Sequence, residues 1–378
     1  MSVHKLHIVC FDVPFPADYG GAIDVFYKIR SLAEAGIELY LHCFAYGRPQ
    51  APELSALCKE VWYYPRKTGL PGLSFSLPYI TNSRRSTALL ERLQQIDAPI
   101  LFEGVHTAYY LNHPSLKTRL KILRNHNVEQ LYYKLLAERE SSVRKRIFFK
   151  LEAERLQVFE AQLQPAQVLM PISAADTLWF QRHYKSKKVI HLPGFHPYTE
   201  VVSATGKGSY CLYHGNLSHP ENIQAALFLL RNVFRSLDVP LVIAGKSPVP
   251  AIREAVEDLP HCRLIADPDS ALMDQLIREA QVHVLPTFQD SGMKLKLLYA
   301  LFAGRHVLVN EKMLAGTGLE QACTIAGSEA AFKELIPQLM SAEFGSAERD
   351  RRIALLKVHY DNARNAQCII DVLKGSAQ

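Results

Sequence analysis

Leu6-His-Ile-Val-Cys-Phe11 is an apolar run with β-branched members, and Pro14-Phe-Pro-Ala-Asp-Tyr-Gly-Gly21 follows it as a turn-rich loop. Ile23, Phe26, Ile29, Leu32 and Ala33 then recur at helical spacing until Gly36. In order these read as strand, loop, helix and helix stop. A second apolar run over 37–44 starts at once. The rhythm predicts further strands over 61–64, 99–102, 120–123, 166–172 and 188–192, with helices over 129–163 and 174–183. Short, almost wholly apolar strands that alternate with helices imply a parallel sheet covered on both faces.

A Ser/Thr/Gly-rich stretch, 202–209, reads as a linker, and from Tyr210 the pattern begins again. Strands are predicted over 211–214, 241–244, 263–265, 282–285 and 307–310, with helices over 223–234, 252–257, 271–280 and 293–303. The fold class expected is α/β: two facing Rossmann-like, doubly wound domains with an interdomain cleft. Ligands of such sheets bind outside the carboxyl ends of the strands. The expected division is 1–200, 201–360 and a C-terminal helix, 361–378, packing back on the first domain.

The 378 residues are 48% hydrophobic and 21% charged, enough to bury real cores. A net charge of +6 from 43 basic and 37 acidic residues is too dispersed to imply nucleic-acid binding. The seven cysteines are scattered without a C-x-x-C pair, which excludes a disulfide framework and a cysteine zinc site and favours a reducing compartment. The first apolar run is too short for a signal peptide, and no stretch reaches about 18 apolar residues. A cytoplasmic location is expected.

Six segments carry candidate chemistry. Gly20-Gly21 opens the first helix, where free N–H groups favour an anion. Lys294 and Lys296 sit near the start of the 293–303 helix with the same layout. Two positions on a helix are about 200° apart, so at least one of the pair must leave the packed surface toward the preceding loop. Glu103-Gly-Val-His106 and Arg124-Asn-His-Asn127 end two neighbouring predicted strands, without metal-ligand spacing. Asp267-Pro-Asp269 has the D-x-D form, but Asp269 directly precedes a helix and is expected to cap it. Arg144-Lys-Arg-Ile-Phe-Phe-Lys150 mixes cations with aromatics, a pattern of solvated helices that also offers a peripheral membrane contact.

The Pro-Ala-Asp-Tyr-Gly20-Gly21 loop and Glu103-Gly-Val-His106, together with Tyr213-His-Gly-Asn-Leu-Ser-His-Pro-Glu-Asn222, Leu241-Val-Ile-Ala-Gly245 and Ser291-Gly…Tyr299-Ala-Leu-Phe-Ala-Gly304, resemble the glycosyltransferase family 4 group over most of the chain. The resemblance implies a GT-B fold and retaining transfer of a sugar from a nucleotide donor, generally without a metal. It places His106 beside the donor sugar and Gly20, Gly21 and Gly215 near the diphosphate. Ser291 and Tyr299 stand where the family has two glutamates, with Asp290 adjacent to the first. Asn216 and Asn222 stand where it has the arginine and lysine that hold the diphosphate. A leaving diphosphate needs positive charge or oriented N–H groups. Lys294, Lys296 and Lys246 are the replacements at hand, with Gly292 and Met293 on the same loop.

The expected function is therefore a retaining glycosyltransferase that moves a sugar from a UDP- or GDP-linked donor to a saccharide or lipid-linked glycan acceptor, in cell-surface polysaccharide biosynthesis. His106, Asp290 and Ser291 are its expected catalytic residues. No cofactor, metal or nucleic-acid partner is expected. The alternatives are a catalytically inactive binding protein of the same fold and a nucleotide-sugar epimerase.

Overall fold

The computed structural model describes residues 5–185, 187–289 and 293–375. They form two units, one running to Pro197 and resuming at Asn362, the other Tyr198–Asp361.

The first unit holds strands β1 (Lys5–Cys10), β2 (Glu38–Ala45), β3 (Glu60–Pro65), β4 (Ile100–Glu103), β5 (Lys121–Asn125), β6 (Val168–Pro171) and β7 (Lys188–Val189). All pair in parallel, in the order β3-β2-β1-β4-β5-β6-β7. Successive side chains of a strand face opposite ways, and β1 shows it. Ile8 packs with Val25, Ile29 and Leu32 of the helix Gly20–Glu34, and Val9 with Phe44, Phe102 and Leu123 on the other face. The helix Asn362–Leu373 contributes Ala366, Ile369 and Ile370 to the Ile8 side. Burial on both faces is why these strands read as continuous apolar runs.

The second unit repeats the plan with β8 (Cys211–His214), β9 (Leu241–Gly245), β10 (Cys262–Ala266), β11 (Val282–Leu285), β12 (His306–Val309) and β13 (Thr324–Ile325). The order is β10-β9-β8-β11-β12-β13, again all parallel. In each sheet the chain reverses its direction of winding once, between β1 and β4 and between β8 and β11. Loops leaving adjacent strands there diverge to opposite faces and open a crevice at the carboxyl edge. The expectation of two Rossmann-like α/β units is borne out.

Three readings need correction. The single helix expected over 129–163 is two, Glu129–Arg139 and Val143–Glu160, because the chain turns extended at Glu140. The helix expected over 223–234 begins earlier, at Pro220, and passes into a π-turn at Leu229–Val233. The helix expected over 293–303 starts at Leu295, so Lys294 precedes it with non-helical backbone while Lys296 lies in its first turn.

Candidate active site

At the reversal point of the second unit, the loop after β8 is built by close backbone approach. A Cβ at Gly245 would run into the carbonyl oxygen of Gly215, so glycine there lets the β8 and β9 loops touch. Gly215 N–H donates to Ala244 O at 3.1 Å, and Leu217 N–H to Lys246 O at 2.8 Å. Asn216 is exposed and folds its side chain back on its own loop, its Oδ1 accepting from Ser218 N at 3.1 Å and Ser218 Oγ at 2.7 Å. Lys246 is exposed beside this loop.

Lys296 reaches the same place from the other side. Its Nζ donates to Asn222 Oδ1 and lies 3.4 Å from Tyr213 OH. The Asn222 amide in turn donates to Asn216 O at 2.9 Å. Burial, offset in part by Glu221 and reinforced by the charge of Lys294, brings the Lys296 ammonium down to about 8. Thr287, just past β11, donates its hydroxyl to Glu221, and Asn310 clasps the Thr287 backbone with bonds of 3.1 and 2.6 Å. The ends of β8, β11 and β12 thus converge on one lysine. Lys294 is directed to the preceding loop, donating to Gln289 O at 2.9 Å. The two lysines diverge because Lys294 precedes the helix on non-helical backbone while Lys296 lies in its first turn. Met293 is half-buried beside them, while Asp290, Ser291 and Gly292 lie outside the described residues.

Tyr299 lies on the helix Leu295–Ala303, with its ring stacked on Tyr198 at 5.0 Å and edge-on to His214 at 5.9 Å. Burial holds the His214 ring neutral, well below the ordinary histidine range. Its Nε2 is buried without a partner among the described residues.

At the reversal point of the first unit, Gly20 and Gly21 begin the helix Gly20–Glu34, which has no acidic residue in its first turn. A Cβ at Gly21 would lie 2.9 Å from the Phe11 ring, so the helix start can pack directly on the end of β1 only as glycine. Phe11 lies between two histidines, 5.5 Å from the His106 ring and 5.3 Å from that of His126. Burial first, then the charges of Arg84, His126 and Arg66, keep His106 well below the ordinary histidine range. Its Nδ1 is buried and has no partner among the described residues.

Beneath this crevice lies a charge network that the residue patterns did not announce. Lys28 Nζ sits 3.0 Å from Asp24 and 2.7 Å from Glu103, all three side chains being fully buried. Arg124 Nη2 meets Asp24 Oδ1 at 3.0 Å and donates to Pro193 O, while Nη1 donates to Leu192 O. His126 Nε2 meets Glu103 Oε2 at 3.0 Å. Burial alone would raise the Asp24 carboxyl, but Arg124 and Lys28 hold it far below the usual carboxylate range. The signal available in sequence was charge inside apolar patterns: Asp24 and Lys28 on the stripe of Val25 and Ile29, and Arg124 within Ile122-Leu-Arg124.

Asp24, Glu103 and His126 are also the group among the described residues able to hold a metal ion. Lys28 and Arg124 already neutralise both carboxylates, so the donor set does not fit a cation. Asp269 caps the helix Ser270–Glu279 by accepting Leu272 N–H at 2.8 Å, as its place before that helix suggested. Asp267 accepts Ser247 N–H at 2.7 Å from the loop after β9, so both aspartates of the D-x-D stretch are bonded to backbone N–H groups.

No protein-family model matches the chain. It is 25% identical over 359 residues to an uncharacterised 44.6 kDa protein in the cps region of Klebsiella pneumoniae, covering 88% of this chain and 90% of that protein. Among solved structures it is similar to sucrose-phosphate synthase from Thermosynechococcus elongatus, with a TM-score of 0.68, 13% identity and 98% of both chains covered. It is similar also to TarM, with a TM-score of 0.67, 10% identity and 99% of both chains covered. A glycosyltransferase from Rickettsia africae superposes with a TM-score of 0.64 at 10% identity over the whole of both chains. The fold is GT-B.

Proposed function

We propose that the chain is a glycosyltransferase whose second unit binds a nucleotide sugar and whose first unit binds a saccharide or lipid-linked acceptor. The observation that carries this reading is the position of Lys296. The family 4 resemblance leaves asparagine at residue 222, where those enzymes keep a cation, and Lys296 brings its ammonium onto that asparagine from another helix. The charge has moved in sequence and stayed in space. An ammonium beside the Gly215 loop supplies what a leaving nucleoside diphosphate needs, with no metal required. His106, on the first unit, takes the role of a neutral hydrogen-bonding group toward the sugar. Transfer with retention, Gly20-Gly21 near the diphosphate, and Asp290 and Ser291 near the sugar remain part of the proposal.

Tyr299 favours a second reading, a binding protein of this fold without turnover, because a stacked phenol cannot accept two ribose hydroxyls as a carboxylate does. One experiment separates the two. A panel of UDP- and GDP-sugars is incubated with and without chelator and with candidate acceptors. Acceptor-dependent nucleotide release, unchanged by chelator and giving product of the donor's anomeric configuration, supports the transferase. Binding without release supports the second reading, and sugar interconversion without acceptor indicates an epimerase.

Peripheral membrane contact belongs to the same proposal. Val143, Ile147, Leu151 and Val158 form an exposed stripe on the helix Val143–Glu160, beside Arg144, Lys145 and Lys150. Apolar side chains flanked by cations suit an anionic lipid surface. No helix among the described residues is long and apolar enough to cross a membrane.

A further inference from the structure

The carboxyl edge of the first sheet carries more positive charge than it has partners for. Arg66 follows β3, and Arg84 follows the short helix Tyr79–Asn82. Arg66 Nε donates to Ser83 Oγ at 3.1 Å and Lys67 N–H to Ser83 O at 2.8 Å, which clasps the two segments side by side. Arg84 is only 5% exposed. Its Nε donates to Phe11 O at 2.8 Å and its Nη1 to Ile80 O at 2.6 Å, while Nη2 takes no partner among the described residues. Neither guanidinium belongs to an ion pair among the described residues. Arg48, the third cation here, is already paired with Asp18 at 2.8 Å. Asp12 lies near all three, with its Oδ1 accepting Val13 N–H at 2.8 Å.

A buried guanidinium bonded to two carbonyls, with one carboxylate, Asp12, shared among three cations and outside ion-pair distance, is an unfavourable arrangement for a protein to keep. Burial, with repulsion from Arg66, draws Arg84 down to about 9. The surroundings make the same demand. Gly20 and Gly21 present helix N–H groups with no acidic side chain in that turn. His106, within the field of both arginines, has its buried Nδ1 free of partners among the described residues. Tyr46, half-exposed, holds its ring against the Arg66 guanidinium at 4.6 Å and steadies it at the mouth of the crevice.

We propose that Arg66 and Arg84 bind a phosphate group carried by the acceptor, so that the first unit selects a phosphorylated saccharide or a saccharide joined to lipid through phosphate. The proposal rests on the transferase reading and names its acceptor class. The missing counter-ion arrives with the substrate, and the two planar guanidiniums give the geometry that phosphate oxygens match.

The test uses the full chain with saturating nucleoside diphosphate, so that the second unit is occupied, and titrates inorganic pyrophosphate calorimetrically. Saturable binding is expected, weakened at least about tenfold in Arg66→Gln and in Arg84→Gln, with nucleoside diphosphate affinity unchanged. Arg66 is partly exposed, so Arg66→Gln carries the test even where the Arg84 variant fails to fold. Undiminished pyrophosphate binding in Arg66→Gln overturns the proposal and leaves the arginines as braces of loop carbonyls. A turnover arm compares soluble sugar phosphates and polyprenyl-phosphate-linked saccharides in vesicles, each against its dephosphorylated form. Preference for the phosphorylated member of either pair supports the proposal and identifies the source, and equal use of both members overturns it. Loss of nucleoside diphosphate binding in the unaltered chain defeats the transferase reading instead, and the pyrophosphate comparison still reads this inference separately.

Discussion

Replacing Lys296 by methionine tests the proposed phosphate clamp at its centre. A hydrogen bond to a charged group is worth about 1.5–3 kcal/mol, so Lys296→Met should weaken nucleoside diphosphate binding by roughly 10- to 150-fold. Affinity for the plain nucleoside should hardly change. With its ammonium near 8, Lys296 is about nine-tenths charged at pH 7 before ligand arrives. Wild-type diphosphate affinity should therefore fall as pH rises above about 8, approaching tenfold per pH unit, and the variant should lack that dependence. Stability separates binding from folding. Burial lowers Lys296 from 10.5 to about 8, a cost on the order of 3 kcal/mol at neutral pH. Methionine removes that cost and gives up the bond to Asn222, so thermal stability should hold or rise. The unfolded chain keeps this proton up to pH 10.5 while the folded one loses it from about 8, so Lys296 adds stability with rising pH in that window. Lys294→Met, altering a side chain directed at the Gln289 carbonyl, should be nearly neutral for binding. Calorimetry with nucleoside and nucleoside diphosphate between pH 6.5 and 9.5 decides the matter. Equal losses for the two ligands, or a pH dependence that survives in Lys296→Met, would show that Lys296 does not hold the diphosphate.

Three further outcomes are expected. His106→Ala should lower turnover by about two orders of magnitude while leaving nucleotide affinity within a few-fold, checked by comparing kcat with calorimetric Kd. Asp24→Asn leaves Arg124 and Lys28 short of a buried counter-ion and should cost about 3–5 kcal/mol in denaturant unfolding. The Asp24 carboxyl is depressed below its unfolded 3.8, so its stabilisation is present above about pH 4 and is lost on acidification below that, a loss the variant should not show. Ile147→Glu with Leu151→Glu should abolish co-sedimentation with anionic vesicles without changing turnover on a soluble acceptor, and retained sedimentation would remove the membrane contact from the proposal.

The arrangement of charges also bears on why the two crevices differ. In the second unit one half-buried lysine gathers loops from three strands. In the first, four buried charges balance one another beneath the surface, and Arg66 and Arg84 above them stand outside any ion pair among the described residues, with Asp12 the carboxylate nearby. A compensated network stiffens the floor of a site. An uncompensated pair at its mouth is available to a ligand.

The alternation of apolar strands and helices, the restart at Tyr210 and the glycine loops were legible because each depends on neighbours a few residues apart. Burial on both faces writes itself into a strand as an unbroken apolar run, and a helix start needs only a local cap or glycine. The bracing of Arg84 on the Phe11 carbonyl, and the Asp24–Arg124 pair across 100 residues, could not be read that way. They exist because β1 lies beside β4, and β4 beside β5, so that loops distant in the chain leave the sheet at one edge. Likewise helical spacing predicted that Lys294 and Lys296 diverge, but their actual divergence, and which of them meets Asn222, was settled by the helix beginning at Leu295 and by β8 adjoining β11. Periodicity is a property of short segments, whereas the pairing of buried charges is decided by which strand ends the topology makes neighbours.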